Sequence, residues 1–158
     1  MAETITSDEA ARLRSRPVPH IASRDGLGAG GQLVWDFLTL FADRRYAEAN
    51  AYLAPGCRML FPGGREMTDC EEVPVLAAAT YRWVKKVFER FDELPAVGKA
   101  GGDGSIVYCY GTLYGEWNDG STFEGVRYID RFEIADGRIT DQKVWNDLCL
   151  AMQACAGR

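Results

Sequence analysis

The sequence predicts an α+β domain: helices first, then a curved antiparallel sheet wrapped around an apolar pocket. Three observations carry this. Apolar residues recur at clear helical spacing only in the first half of the chain. The last third is rich in Val, Tyr, Thr and Leu over stretches long enough for strands. Asn118-Asp119-Gly120 and Ala135-Asp136-Gly137 join those stretches as hairpin turns. Long neighbouring antiparallel strands twist and curl, and helices segregated to one end of the chain define the α+β class.

Residues 1–28 read as a flexible N-terminal tail, with a short helix over Ser7–Arg16 capped by Ser7. Pro17, Pro19, Gly26, Gly28, Gly30 and Gly31 punctuate it. The domain proper spans 29–152, and 153–158 form a C-terminal tail. The first strong helix begins near Gly31, with Leu33, Phe37, Leu40 and Phe41 on one stripe, widened by Val34 and Leu38. Asp43-Arg44-Arg45 ends it. A second helix runs from Tyr46 through Leu53 and stops at Pro55-Gly56. A short strand follows over Cys57–Phe61. Pro62-Gly63-Gly64 turns the chain, and Arg65–Met67 pairs back. Thr68 or Asp69 caps a third helix that reaches about Tyr81, with Glu71 and Glu72 at its positive end. Trp83, Val84, Val87, Phe88 and Phe91 fit either a helix or a bulged strand; the strand reading, Lys85–Glu93, is preferred. Three strands close the domain: Ser105–Trp117, Thr122–Ile134 and Arg138–Leu148.

Bulk composition narrows the function classes. The chain has 158 residues, 47% of them hydrophobic and 26% charged, which suits one globular domain with one core. A net charge of −5 argues against nucleic acid, which requires a concentrated basic surface. The basic stretch Arg82–Arg90, which includes Lys85 and Lys86, reads as the solvated face of one element. No run of 18 apolar residues occurs, so no membrane span is expected. The five cysteines are odd in number and widely spaced, without a CxxC motif, which indicates free thiols and a reducing, cytoplasmic setting. The single histidine, His20, lies in the tail, so no Ser/His/Asp set forms. Metal ligands are scattered, and neither a metal nor a cofactor is expected.

The order α-α-β-α-β-β-β-β resembles the NTF2-like superfamily, with its SnoaL-like and ketosteroid-isomerase-like members. The stretch Tyr128-Ile-Asp-Arg-Phe-Glu-Ile-Ala-Asp-Gly-Arg-Ile139, then Val144-Trp-Asn-Asp-Leu148, carries the resemblance, together with Leu53-Ala-Pro-Gly-Cys-Arg-Met-Leu-Phe-Pro62. It covers about residues 30–150. It implies a cone-shaped fold with three N-terminal helices on a curved sheet, a pocket for a small apolar organic molecule, and a homodimer formed through the outer face of the sheet.

Strand alternation selects the pocket residues. Val126, Tyr128, Asp130, Phe132 and Ile134 share one mostly apolar face, which turns inward; Arg127, Arg131 and Glu133 lie on the other. A hairpin symmetric about Asp119-Gly120 pairs Asp130 with Cys109 and leaves Tyr108, Tyr110, Thr112 and Tyr114 outside, beside Arg127 and Arg131. Such an aromatic sheet face marks a partner. A three-residue loop at Ala135-Asp136-Gly137 sets Gln142 opposite Asp130, with Val144 and Asn146 also inward; a four-residue loop brings in Lys143 and Trp145 instead. The first helix adds Trp35 or Phe37, and the first strand Met59 or Phe61. The candidate catalytic residue is Asp130. The candidate ligand-binding residues are Tyr128, Gln142, Asn146, Cys109, Phe37, Phe61, Phe132 and Val144. A mainly apolar lining with a few convergent polar groups suits a small-molecule site.

A carboxyl in such surroundings is expected to hold its proton more tightly than usual and to donate a hydrogen bond or act as acid or base. The alternative is that Asp130 only satisfies the interior by pairing with Gln142, a tyrosine hydroxyl or a backbone amide. By the resemblance, Asp130 matches the hydrogen-bond-donating acid of ketosteroid isomerase. That enzyme's tyrosine and catalytic base match Phe37 and Phe61, which move no protons. The aspartate of SnoaL-like cyclases matches Val144. The expected activity is therefore an isomerase, cyclase, dehydratase or hydrolase on an apolar substrate. The competing expectation is a non-catalytic, homodimeric ligand-binding or protein-interaction module.

Overall fold

The computed structural model describes residues 20–96 and 104–156; the helix expected over Ser7–Arg16 lies outside them. Two helices, α1 (Ala29–Ala42) and α2 (Tyr46–Asn50), precede strands β1 (Leu53–Phe61) and β2 (Arg65–Met67). A 3₁₀ turn at Cys70–Glu72 leads into α3 (Val73–Ala77). Strands β3 (Tyr81–Pro95), β4 (Ser105–Trp117), β5 (Thr122–Ala135) and β6 (Arg138–Asn146) follow, and α4 (Leu148–Ala156) ends the described chain. The six strands form one sheet in the order β2-β1-β6-β5-β4-β3. All neighbours are antiparallel except β1 and β6, which run parallel. No helix among the described residues is long and apolar enough to cross a membrane.

Helix α1 forms because its apolar stripe has somewhere to go. Val34, Phe37 and Leu38 are buried against the concave face of the sheet, and Phe37 meets Phe132 edge-on at 5.9 Å. Its start is capped from a distance. Gly28, at the N-cap, has no side chain to offer, and the Glu93 carboxylate on β3 accepts hydrogen bonds from Gly30 N at 3.0 Å and Gly31 N at 3.1 Å. A Cβ on Gly28 would sit 2.3 Å from that carboxylate. The glycines read as tail punctuation thus make room for the cap.

Several boundaries differ from expectation. Pro55-Gly56 does not stop α2; it lies within β1, at an irregularity between Leu53 and Arg58 where Gly56 takes φ +75°. The third helix ends at Ala77 rather than near Tyr81, because β3 already begins there. The expected cap at Asp69 belongs instead to the 3₁₀ turn that leads into this helix, where Asp69 and Glu72 form a reciprocal capping box. The last strand stops at Asn146, and Leu148 opens a helix instead of ending the strand. Region 81–95 is a strand throughout, longer than Lys85–Glu93, with a bulge between Phe88 and Arg90.

The hairpin about Asp119-Gly120 has the expected register: Cys109 pairs with Asp130, Val107 with Phe132, Gly111 with Tyr128. The second hairpin does not. Ala135 pairs with Arg138, so the loop has two residues, and both adopt positive φ, Asp136 at +51° and Gly137 at +69°. Such a turn matches the twist of the flanking strands. Unrelieved, it would turn Lys143 and Trp145 inward. A bulge at Thr140, where Glu133–Ile134 faces Asp141–Ile139, restores the expected faces. Gln142 consequently lies opposite Phe132, and Val144 opposite Asp130.

Candidate functional site

The concave face encloses a cavity of about 210 Å³ between α1, the sheet and the start of α4. Phe37, Phe61, Tyr128, Gln142, Val144 and Asn146 line it, as the strand faces predict. Phe37 and Phe61 are thus the inward choices over Trp35 and Met59. Trp35 packs on Phe88 and Phe91 at 4.8 and 5.8 Å, while Met59 is fully buried in the core. Cys109, Phe132 and Asp130 do not line the cavity. They form the layer behind it, each 0% exposed.

Asp130 does not pair with Gln142, a tyrosine or a backbone amide. Its Oδ2 accepts a hydrogen bond from the Lys86 ammonium in a salt bridge. The Lys86 side chain is 23% exposed and lines the cavity, so the cation opens on the cavity while its counter-ion stays behind it. Lys86 is therefore not part of a solvated basic face, as the run Arg82–Arg90 suggests. It alternates with Val84 and Phe88 on the inward side of β3, and that period-2 pattern is the sequence signal for it. The register explains the reach. Lys86 pairs with Leu113 and Asp130 with Cys109, so the ammonium crosses β4 at the level of Gly111, which presents no side chain. On the way it lies 4.1 Å from the centre of the Tyr128 ring, a cation–π contact.

Burial raises the Asp130 carboxyl above its ordinary range, and the neighbouring Lys86 charge opposes that shift. Burial also pushes the Cys109 thiol up to about 12 and the Tyr128 phenol well above its usual value. Both stay neutral near pH 7 and share a 3.4 Å contact between Sγ and the hydroxyl. Two polar atoms here lack partners: Asp130 Oδ1, and Gln142 Oε1 beside the cavity. Asn146 Oδ1 accepts from Leu148 N at 3.2 Å and so caps α4. Besides Lys86, the charged residues lining the cavity are Lys85 and Asp43, the latter at the exposed C-terminal end of α1. Among the described residues no cluster of three or more ligating side chains exists that could hold a metal ion.

The outer face carries Tyr108, Tyr110, Tyr114, Arg127 and Arg131. Arg127 donates to Asp147 at 2.7 Å, and Arg131 to Glu133 at 2.9 Å. Tyr114 is exposed and also reaches the cavity rim. Two residues not assigned to this face from the sequence, Ile129 and Trp145, pair in register and stand 37% and 50% exposed beside Tyr110.

No family model matches the chain, and no curated protein matches it. Solved structures do. An NTF2-like protein of unknown function from Burkholderia pseudomallei K96243 superimposes with a TM-score of 0.64 at 15% identity, covering 80% of this chain and 97% of that one. A putative SnoaL-like polyketide cyclase from Jannaschia sp. CCS1 gives 0.53 at 18% identity, over 80% and 90%. TerC co-crystallised with polyporic acid gives 0.59 at 14% identity, over 80% and 97%. The element order, the curved sheet and these superpositions agree: the chain has the NTF2-like fold.

Proposed function

We propose that this domain binds a small, mainly apolar organic molecule carrying an oxygen function, with the Lys86–Asp130 pair as its polar anchor. One observation carries the reading: an ion pair whose carboxylate is fully buried opens onto a mainly apolar cavity through its cation alone. Two opposite charges buried together are a poor way to stabilise a fold, because desolvation offsets their attraction. An ammonium held by a carboxylate behind it suits a different task. It presents its remaining N–H groups to a carbonyl or hydroxyl oxygen in a water-poor site, where such contacts are strong. The co-crystallisation of TerC with polyporic acid and the naming of a structural neighbour as a putative SnoaL-like polyketide cyclase accord with the reading.

Asp130 acts in this reading through Lys86. It orients the ammonium and is the nearest proton acceptor to it, so the pair can polarise a carbonyl and hold negative charge on its oxygen. That step is common to isomerases, cyclases and dehydratases. The test is a thermal-shift screen of steroids, terpenoids, phenolics and polyketide-like aromatics on wild type, Asp130→Asn and Lys86→Met. A ligand at a hundred times its dissociation constant adds about 2.7 kcal/mol, or about 5–11 °C for a domain of this size. Hits that persist unchanged in both variants would sink the proposal.

A second reading rests on Ile129 and Trp145. With the half-buried Tyr110 they form an apolar row on the outer face of the sheet, and we propose that a second copy of the chain covers it in a homodimer.

A further inference from the structure

Beside the cavity that Lys86 faces lies a second one of about 300 Å³, bounded by the β1–β2 turn, α3 and α4. The two adjoin along Phe61, Val73, Tyr81, Asn146 and Leu148, which line both. The walls of the second are mainly apolar: Phe61, Met67, Leu76 and Met152 contribute, and Arg65 is the only charged residue among them. A third cavity also touches the first, but Arg44, Arg82 and Lys85 line it, which suits an apolar chain poorly. The helix that closes the second cavity, α4, has no buried residue, and its Met152 is 43% exposed. An apolar side chain turned toward an apolar cavity yet left partly bare gains burial when the cavity fills.

We infer that the two cavities are the head and tail chambers of one site, and that its ligand is elongated: an uncharged oxygen group at Lys86 and an aliphatic chain running past Phe61 and Tyr81 to Met152. The inference rests on Lys86 as the anchor. An uncharged head follows from electrostatics, because Lys86 already has its counter-ion, the other charged residues lining the head chamber, Lys85 and Asp43, are opposite in sign, and an added anion would leave that chamber one charge in excess. An aliphatic tail follows from the lining of the second chamber, where the gain scales with apolar area removed from water.

Isothermal titration of the full chain with 2-alkanones from hexanone to dodecanone tests this. Each added methylene should tighten binding about fourfold across the series. Met152→Trp and Leu76→Trp, which fill the second chamber, should reduce dodecanone to the affinity of a short ketone and leave hexanone unchanged. The partial exposure of Met152 lets its replacement be made without disturbing the core. Affinity that levels off at short chains, or two tryptophan variants that bind every ketone like wild type, would overturn the tail chamber while leaving the anchor intact. Ketones that bind Lys86→Met as well as wild type, at a temperature where that variant is folded, would overturn the anchor itself. Chain length and anchor are read by separate variants, so the two failures are distinct.

Discussion

Replacing Lys86 by methionine leaves the volume of the site nearly unchanged and strands Asp130. The carboxyl is 0% exposed, and no other described cation bonds it, so the variant faces two costs. Keeping the charge leaves an uncompensated buried carboxylate, and breaking a buried pair in this way costs about 3–5 kcal/mol. Taking up a proton avoids that penalty at low pH only. In wild type, burial already raises the Asp130 carboxyl above its ordinary value, against the opposing influence of Lys86. A raised folded-state value means stability that is complete below the unfolded value, near 3.8, and is lost as the pH rises through the folded one. Lys86→Met removes the opposing influence, so the loss extends to higher pH and grows larger. Neighbouring Cys109 and Tyr128 hold their protons throughout and do not blur the profile. At about 2–4 °C per kcal/mol, the variant should melt about 6–20 °C below wild type at pH 7. The gap should narrow at pH 4, and Lys86→Met/Asp130→Asn should abolish the added pH dependence. Calorimetric melts from pH 4 to 8 measure this. A Lys86→Met protein within 1 kcal/mol (about) of wild type at pH 7, with an unchanged pH profile, would refute the reasoning.

Other consequences follow from the same geometry. Glu93→Ala removes the remote cap of α1 and should cost about 1–2 kcal/mol in urea unfolding. Gly111→Ala should fail to give a stable fold, because the new Cβ would sit 2.0 Å from the Val87 carbonyl oxygen at the β3 bulge, where backbone cannot yield; a circular-dichroism melt decides it. Native protein should alkylate at Cys149 and Cys155, which are exposed, and resist at Cys57, Cys70 and Cys109, whose thiols burial pushes up to about 11, 12 and 12; mass spectrometry before and after denaturation counts the sites. Ile129→Glu should convert the proposed dimer to a monomer in sedimentation without altering ligand binding.

Much of the fold was legible because its signals are local. The period-3.6 stripe around Phe37, the Asp69 and Glu72 capping pair, and Asn-Asp-Gly between two alternating strands are each read within a few residues. Since the side-chain period of a strand is 2, the register of one hairpin was enough to aim Tyr128, Asp130 and Phe132 at the same face. The ambiguity at Trp83–Phe91 has a definite cause. The bulge after Phe88 adds one residue, so the inward side chains Val84, Phe88 and Phe91 fall at i, i+4 and i+7, the spacing of a helix.

What the sequence determined by itself is the fold class, the inward faces of β4 and β5 and the presence of a carboxyl among them. It could not determine what that carboxyl meets. Lys86 and Asp130 are 44 residues apart, and they come together only because three strands stack in register with a glycine on the middle one. The faces of β6 likewise depended on a bulge at Thr140 that compensates a two-residue turn, a coupling between two backbone irregularities that no single side chain announces. Partners across a sheet are set by register and by what the intervening strand leaves open, so the tertiary structure alone decided that the buried carboxyl meets the cavity through a cation.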